Sequence, residues 1–122
     1  MLRKKLLQIG SLIAVVMFTV HASPRPARAD GPRIIEIHAK RFSFTPDQIT
    51  LKKGETVKIH LTSSDVTHGF FLRPLKIDED IEPGTTKEIT VTPQQAGTFT
   101  TICDHFCGVN HGGMKMTIVV EE

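Results

Sequence analysis

Val57, Ile59 and Leu61 alternate with Lys58 and His60, a period of two that puts every apolar side chain on one face of an extended strand. Six further stretches are strand candidates: Ile34 to Ala39, Gln48 to Leu51, Gly69 to Leu72, Lys87 to Thr92, Thr98 to Cys103 and Met114 to Val120. Turn chemistry separates them, in Thr45-Pro46-Asp47, Lys53-Gly54, Glu82-Pro83-Gly84 and Ala96-Gly97. Beyond residue 29 no stretch sustains a helical period. Strands this short, punctuated by Gly and Pro, predict an all-β fold, an antiparallel Greek-key sandwich. Residues 30–122 suffice for one domain with a single core, and they contain no internal repeat.

The first 29 residues read differently. Arg3, Lys4 and Lys5 precede a mostly apolar run from Leu6 to Val20, and Ala27-Arg28-Ala29 comes before Asp30. That is the layout of a secretory signal over residues 1–29, cleaved after Ala29. The competing reading is an uncleaved anchor, but about 15 residues at 1.5 Å rise cover only about 22 Å, against roughly 30 Å of hydrocarbon. Export predicts a periplasmic or other extracytoplasmic location, with membrane contact only if the segment is retained. The segment also carries five basic residues, Arg3, Lys4, Lys5, Arg25 and Arg28, and no acid. Its removal takes the formal charge from +2 to −3, so the basicity belongs to targeting and gives no reason to expect a nucleic-acid partner. Asp78, Glu79, Asp80 and Glu82 form an acidic run, read as a solvated loop on which a basic redox partner could dock.

Alternation sorts several side chains. His38 shares a face with Glu36 and Lys40, and His60 with Lys58, which makes both surface residues. His68 sits where the polar loop Thr62 to Thr67 turns into an apolar strand, a rigid edge able to hold a ligand. Met116 shares a face with Ile118 and reads as core, as do most phenylalanines. Phe106, between the two cysteines, reads as a shield for a metal.

The run Cys103-Asp104-His105-Phe106-Cys107-Gly108-Val109-Asn110-His111-Gly112-Gly113-Met114 concentrates the chemistry. It holds the only two cysteines of the chain, two imidazoles and a thioether. Thiolate, imidazole and thioether together suit copper better than hard cations do. Zinc competes with a Cys2His2 set from Cys103, Cys107, His111 and His68, although it has little use for Met114. A disulfide between the two cysteines is the bland alternative in an exported chain.

Thr62 to Phe71 and Cys103 to Met114 together resemble the dinuclear copper domain, CuA, of cytochrome c oxidase subunit II and of the cupredoxin domain of nitrous oxide reductase. The likeness covers roughly Ile34 to Val120. It implies a cupredoxin-like sandwich binding two copper ions per chain. By the resemblance, Cys103 and Cys107 bridge both coppers, His68 and His111 each cap one, Met114 is a weak ligand, and the backbone carbonyl of His105 completes the set. Gly108 and Gly112-Gly113 would let the loop wrap closely around the metals.

Two bridging thiolates contribute −2, so a Cu(I) pair makes a neutral core and the one-electron oxidised pair carries only +1, which is cheaper to bury than a localised dication. The implied function is a carrier of single electrons, with no catalysis of its own. Its implied partners are a redox donor and acceptor, such as a c-type cytochrome or an oxidase, and a copper metallochaperone. Three differences from oxidase subunit II favour a free-standing carrier. The subunit has a magnesium-binding glutamate where this chain has His105; it has an exposed electron-accepting tryptophan, whereas this chain has no Trp or Tyr; and it has a transmembrane hairpin. The alternatives are the subunit through which electrons enter a membrane haem-copper oxidase, and a copper-binding or copper-transfer protein without a redox partner.

Overall fold

The computed structural model describes residues 31–122, so the signal or anchor expected over residues 1–29 lies outside the described residues. Among the described residues, no helix is long and apolar enough to cross a membrane. They form β1 (Arg33–Lys40), β2 (Ser43–Thr45), β3 (Gln48–Lys52), β4 (Val57–Ser63), β5 (His68–Leu72), β6 (Ile77–Ile81), β7 (Lys87–Val91), β8 (Gly97–Ile102) and β9 (Lys115–Glu121). Short 3-10 turns lie at Arg73–Leu75 and His111–Gly113. One sheet has the order β2-β1-β4-β7 and the other β3-β9-β8-β5-β6.

The alternation in β4 sets the inner face of the first sheet. Val57, Ile59, Leu61 and Ser63 are buried, and Lys58, His60 and Thr62 between them are half-buried. Leu51, Phe70, Ile81, Met116 and Ile118 face them from the second sheet. Phe44 of the first sheet meets Phe70 of the second edge to face at 5.5 Å. Each fully buried Ile, Leu or Phe contributes about 1.5–3 kcal/mol, and together they form one continuous core.

The chain adopts the expected all-β sandwich, with one difference in pairing. β1 pairs with β4 in parallel, as β3 does with β9, while the remaining pairs are antiparallel. A parallel pair requires a crossover. The chain makes it by leaving β2 in the first sheet, passing through β3 in the second, and returning as β4 beside β1.

A second difference concerns the acidic run expected as a loop. Asp78, Glu79 and Asp80 lie in β6, an edge strand whose Ile77 and Ile81 are buried. Charged side chains on such an edge discourage another strand from adding to it. His38 and His60 lie on the outer face of the first sheet, half-buried, and Met116 is in the core.

The fold brings three strand ends together. β8 lies between β5 and β9 and is antiparallel to both. The start of β5, the end of β8 and the start of β9 therefore meet at one end of the sandwich. His68 opens β5, Cys103 follows β8, and Met114 precedes β9.

Candidate metal centre

The loop from Cys103 to Met114 is closed at its base by Cys103 N–H donating to the Met114 carbonyl at 3.1 Å, which extends the β8–β9 ladder by one bond. Within the loop, His111 N–H donates to Gly108 O at 3.2 Å and Met114 N–H to His111 O at 3.0 Å. Gly108 has φ of +143°, and a Cβ there would stand 2.9 Å from the Phe42 ring, so glycine is required on both counts. Gly112 and Gly113 meet nothing within 4 Å, so close wrapping falls to Gly108 alone.

Inside the loop the soft donors converge. Cys103 Sγ lies 3.6 Å from Cys107 Sγ and 4.0 Å from His68 Nδ1, and Cys107 Sγ lies 3.8 Å from Met114 Sδ. The ligand atoms of His68, Cys103 and Cys107 all lie within 4.8 Å of one another, a grouping that does not include His111. Both cysteines are free thiols, and they are buried together with His68 and Met114. The His105 carbonyl is 3.2 Å from Cys103 Sγ, while its ring is exposed and donates through Nδ1 to Phe106 O at 3.1 Å.

Phe106, read from the sequence as a metal shield, keeps most of its surface in solvent. It is 71% exposed and packs edge-on against the His111 ring, centroids 5.4 Å apart. His111 Nδ1 is buried with no hydrogen-bond partner among the described residues. A buried ring nitrogen without a partner is uncommon in a folded protein, and in the loop that carries the two thiols and the thioether it is a candidate donor to a metal.

Two residues that the sequence reading passed over hold this arrangement. Asp65 Oδ1 accepts from His68 Nε2–H at 2.7 Å and from Val66 N–H at 2.7 Å, and Asp65 Oδ2 accepts from Arg41 N–H at 2.7 Å. Partial burial works against the ionised carboxylate. The donors from Arg41, His68 and Val66 outweigh it and hold the carboxyl well below the usual carboxylate range. The carboxylate fixes the proton of His68 on Nε2 and leaves Nδ1 facing Cys103. Arg41 then donates through Nε–H to the Cys107 carbonyl at 2.8 Å, tying the β1–β2 turn to the Cys103–Met114 loop. The available signal for Asp65 was a carboxylate three positions before a histidine at a loop-to-strand edge.

Burial pushes the Cys107 thiol up to about 11, with the neighbouring Cys103 adding to the shift. The thiol is thus protonated near neutral pH, and a cation that binds there must displace the proton. Two thiols, a thioether, imidazole nitrogens and a carbonyl are a donor set that fits copper, whereas zinc leaves the thioether unused.

A cupredoxin-like domain profile matches residues 10–120. Cytochrome c oxidase subunit 2 of Thermus thermophilus is 32% identical over 102 residues, which cover 80% of this chain and 76% of that protein. A probable cytochrome c oxidase subunit 2 of Streptomyces avermitilis is 43% identical over 70 residues, 57% of this chain, and the match spans only 22% of that relative's length. The periplasmic domain of subunit II of cytochrome oxidase of Bradyrhizobium japonicum shares the fold, with a TM-score of 0.68 at 20% identity over 74% of this chain and 84% of that one. On its sandwich and these relationships, the chain belongs to the cupredoxin-like family, in the line that includes cytochrome c oxidase subunit 2.

Proposed function

We propose that this chain is an extracytoplasmic carrier of single electrons with a dinuclear, CuA-type copper centre in the Cys103–Met114 loop. The observation that carries the reading is the pair of buried thiols 3.6 Å apart, flanked by His68 Nδ1 and Met114 Sδ. A mononuclear cupredoxin site uses one thiolate; two side by side can each be shared between two ions. Cys103 and Cys107 would bridge, His68 and His111 would each hold one copper, and Met114 and the His105 carbonyl would be the weak ligands. Copper held there supplies a one-electron couple without making or breaking a bond to substrate.

The chain's own residues do the remaining work. Asp65 sets the His68 tautomer, the β8–β9 ladder closes the loop at its base and Arg41 holds it at Cys107, so the donors are in place before the metals arrive. The thiolates offset metal charge in a buried setting. The partners are a redox donor and an acceptor, a c-type cytochrome or an oxidase. Thiols 3.6 Å apart in an oxidising compartment are also prone to join as a disulfide, so copper loading calls for a reductant or a metallochaperone.

A second reading, a subunit through which electrons enter a membrane haem-copper oxidase, is supported by the Thermus relative, of which this chain covers 76%. Purification from membranes distinguishes the two, since the subunit would come with haem-bearing partners and the free carrier without them. The first reading is tested by anaerobic copper loading and metal analysis. Two coppers per chain are expected for the wild type, and loss of the centre in Cys103→Ser and in Cys107→Ser. One copper per wild-type chain would overturn the dinuclear assignment.

A further inference from the structure

We propose that Gly69 is a positioning residue for the metal centre: its missing side chain lets the ligand loop lie flat on β5, and its amide tethers the Cys103 sulfur. The role in the loop stands on geometry, and its bearing on copper rests on the function proposed above.

Gly69 follows the ligand His68 and is buried, yet it is not among the residues with positive φ, so its backbone conformation does not call for glycine. Space does. His68 and Phe70 on either side are fully buried toward the core, which turns position 69 to the outer face of the second sheet. There the chain leaving β8 folds back across it. A Cβ on Gly69 would stand 2.6 Å from the backbone nitrogen of His105 and 2.8 Å from that of Asp104, and would collide with the Asp104 carboxylate. The carboxylate can rotate away. The two backbone nitrogens cannot move unless the segment between Cys103 and His105 moves with them.

That segment carries a buried thiol and the His105 carbonyl, 3.2 Å apart. Gly69 N–H donates to Cys103 Sγ at 3.3 Å. A backbone donor aimed at a sulfur stabilises its thiolate form and shifts the potential of any metal the thiolate holds. A single residue next to His68 therefore governs the height of the loop over the sheet and the environment of one thiol.

The test is Gly69→Ala, which keeps the amide and adds only the Cβ, with Gly112→Ala as the control in the same loop but in open space. The added methyl points away from the core, so the apo variant is expected to keep its circular dichroism spectrum. Alkylation of the Cys103 and Cys107 thiols of the apo variant should be roughly ten- to a hundredfold faster than in wild type, as the overpacked segment lifts. The Gly112→Ala rate should stay at the wild-type value. After copper loading, Gly69→Ala should show a shifted absorption spectrum and a lower reduction potential. Wild-type alkylation kinetics in Gly69→Ala would overturn the proposal. Should the variant not fold, amide exchange in the wild-type apo protein decides, since a Gly69 amide exchanging as fast as an unprotected one would overturn it as well. The apo readouts do not depend on copper, so if they come out as expected and wild type still fails to bind two coppers, it is the proposed function that falls.

Discussion

Replacing Asp65 with alanine should weaken the centre without touching a ligand. His68 is fully buried, and its Nε2–H has the Asp65 carboxylate as its partner at 2.7 Å. Removing that carboxylate leaves a buried N–H without an acceptor, which costs about 1–3 kcal/mol. The amides of Arg41 and Val66 lose an acceptor too, but Asp65 lies at the surface and water can replace it there. The apo protein should therefore lose about 2 kcal/mol in urea denaturation. Copper affinity should fall roughly ten- to a hundredfold, the usual effect of losing the group that orients a ligand histidine. Asp65→Asn should fall between wild type and alanine. Its amide oxygen can still accept from His68 and Val66, but its NH2 group then faces the Arg41 N–H. Competition with a chromophoric Cu(I) chelator measures the affinities. If Asp65→Ala stays within twofold of wild type while His68→Ala loses binding, the carboxylate does not set the ring.

Three further outcomes are expected. His105→Ala should keep both coppers, because its contribution is a carbonyl that alanine also supplies; loss of one copper would make the ring a ligand. Phe70→Ala removes a fully buried ring packed against Phe44 and should cost about 3–5 kcal/mol in denaturant unfolding, with a change under 1 kcal/mol arguing against a tight inter-sheet core. The Glu88 carboxylate at 2.9 Å raises the pKa of His60; slight burial opposes this, and Glu36 at 3.0 Å on the other ring nitrogen adds to it. A raised pKa stabilises the fold fully below the unfolded value near 6.5, and the contribution is lost as pH rises through the folded value. The apo melting temperature should therefore drop over that window by more than in His60→Gln, and superimposable profiles would contradict the bridge.

The buried faces were legible because a period of two is a direct consequence of strand geometry, as Val57, Ile59 and Leu61 show. Strand direction was not, since the same alternation fits a parallel or an antiparallel neighbour; hence β1–β4 and β3–β9 came as differences. In β6 the signal was present, with Ile77 and Ile81 four apart, but three consecutive acids masked it. The soft donors were visible because cysteine and methionine announce their chemistry by type. Asp65 and Arg41 act through hydrogen bonds to His68 and to the Cys107 carbonyl, and those depend on two loops meeting across the fold. The direction of the Phe106 ring was not legible for the same reason: lying between two cysteines in sequence says nothing about which way it turns, and it packs against His111.

In the proposed centre, two buried thiols in one loop hold two coppers that share one unpaired electron. Electron paramagnetic resonance of the anaerobically loaded, one-electron-oxidised protein reads that sharing. Two equivalent copper nuclei, each of spin three-halves, split the signal into seven lines. A seven-line pattern at two coppers per chain is the predicted result, and a four-line pattern at one copper per chain would contradict it.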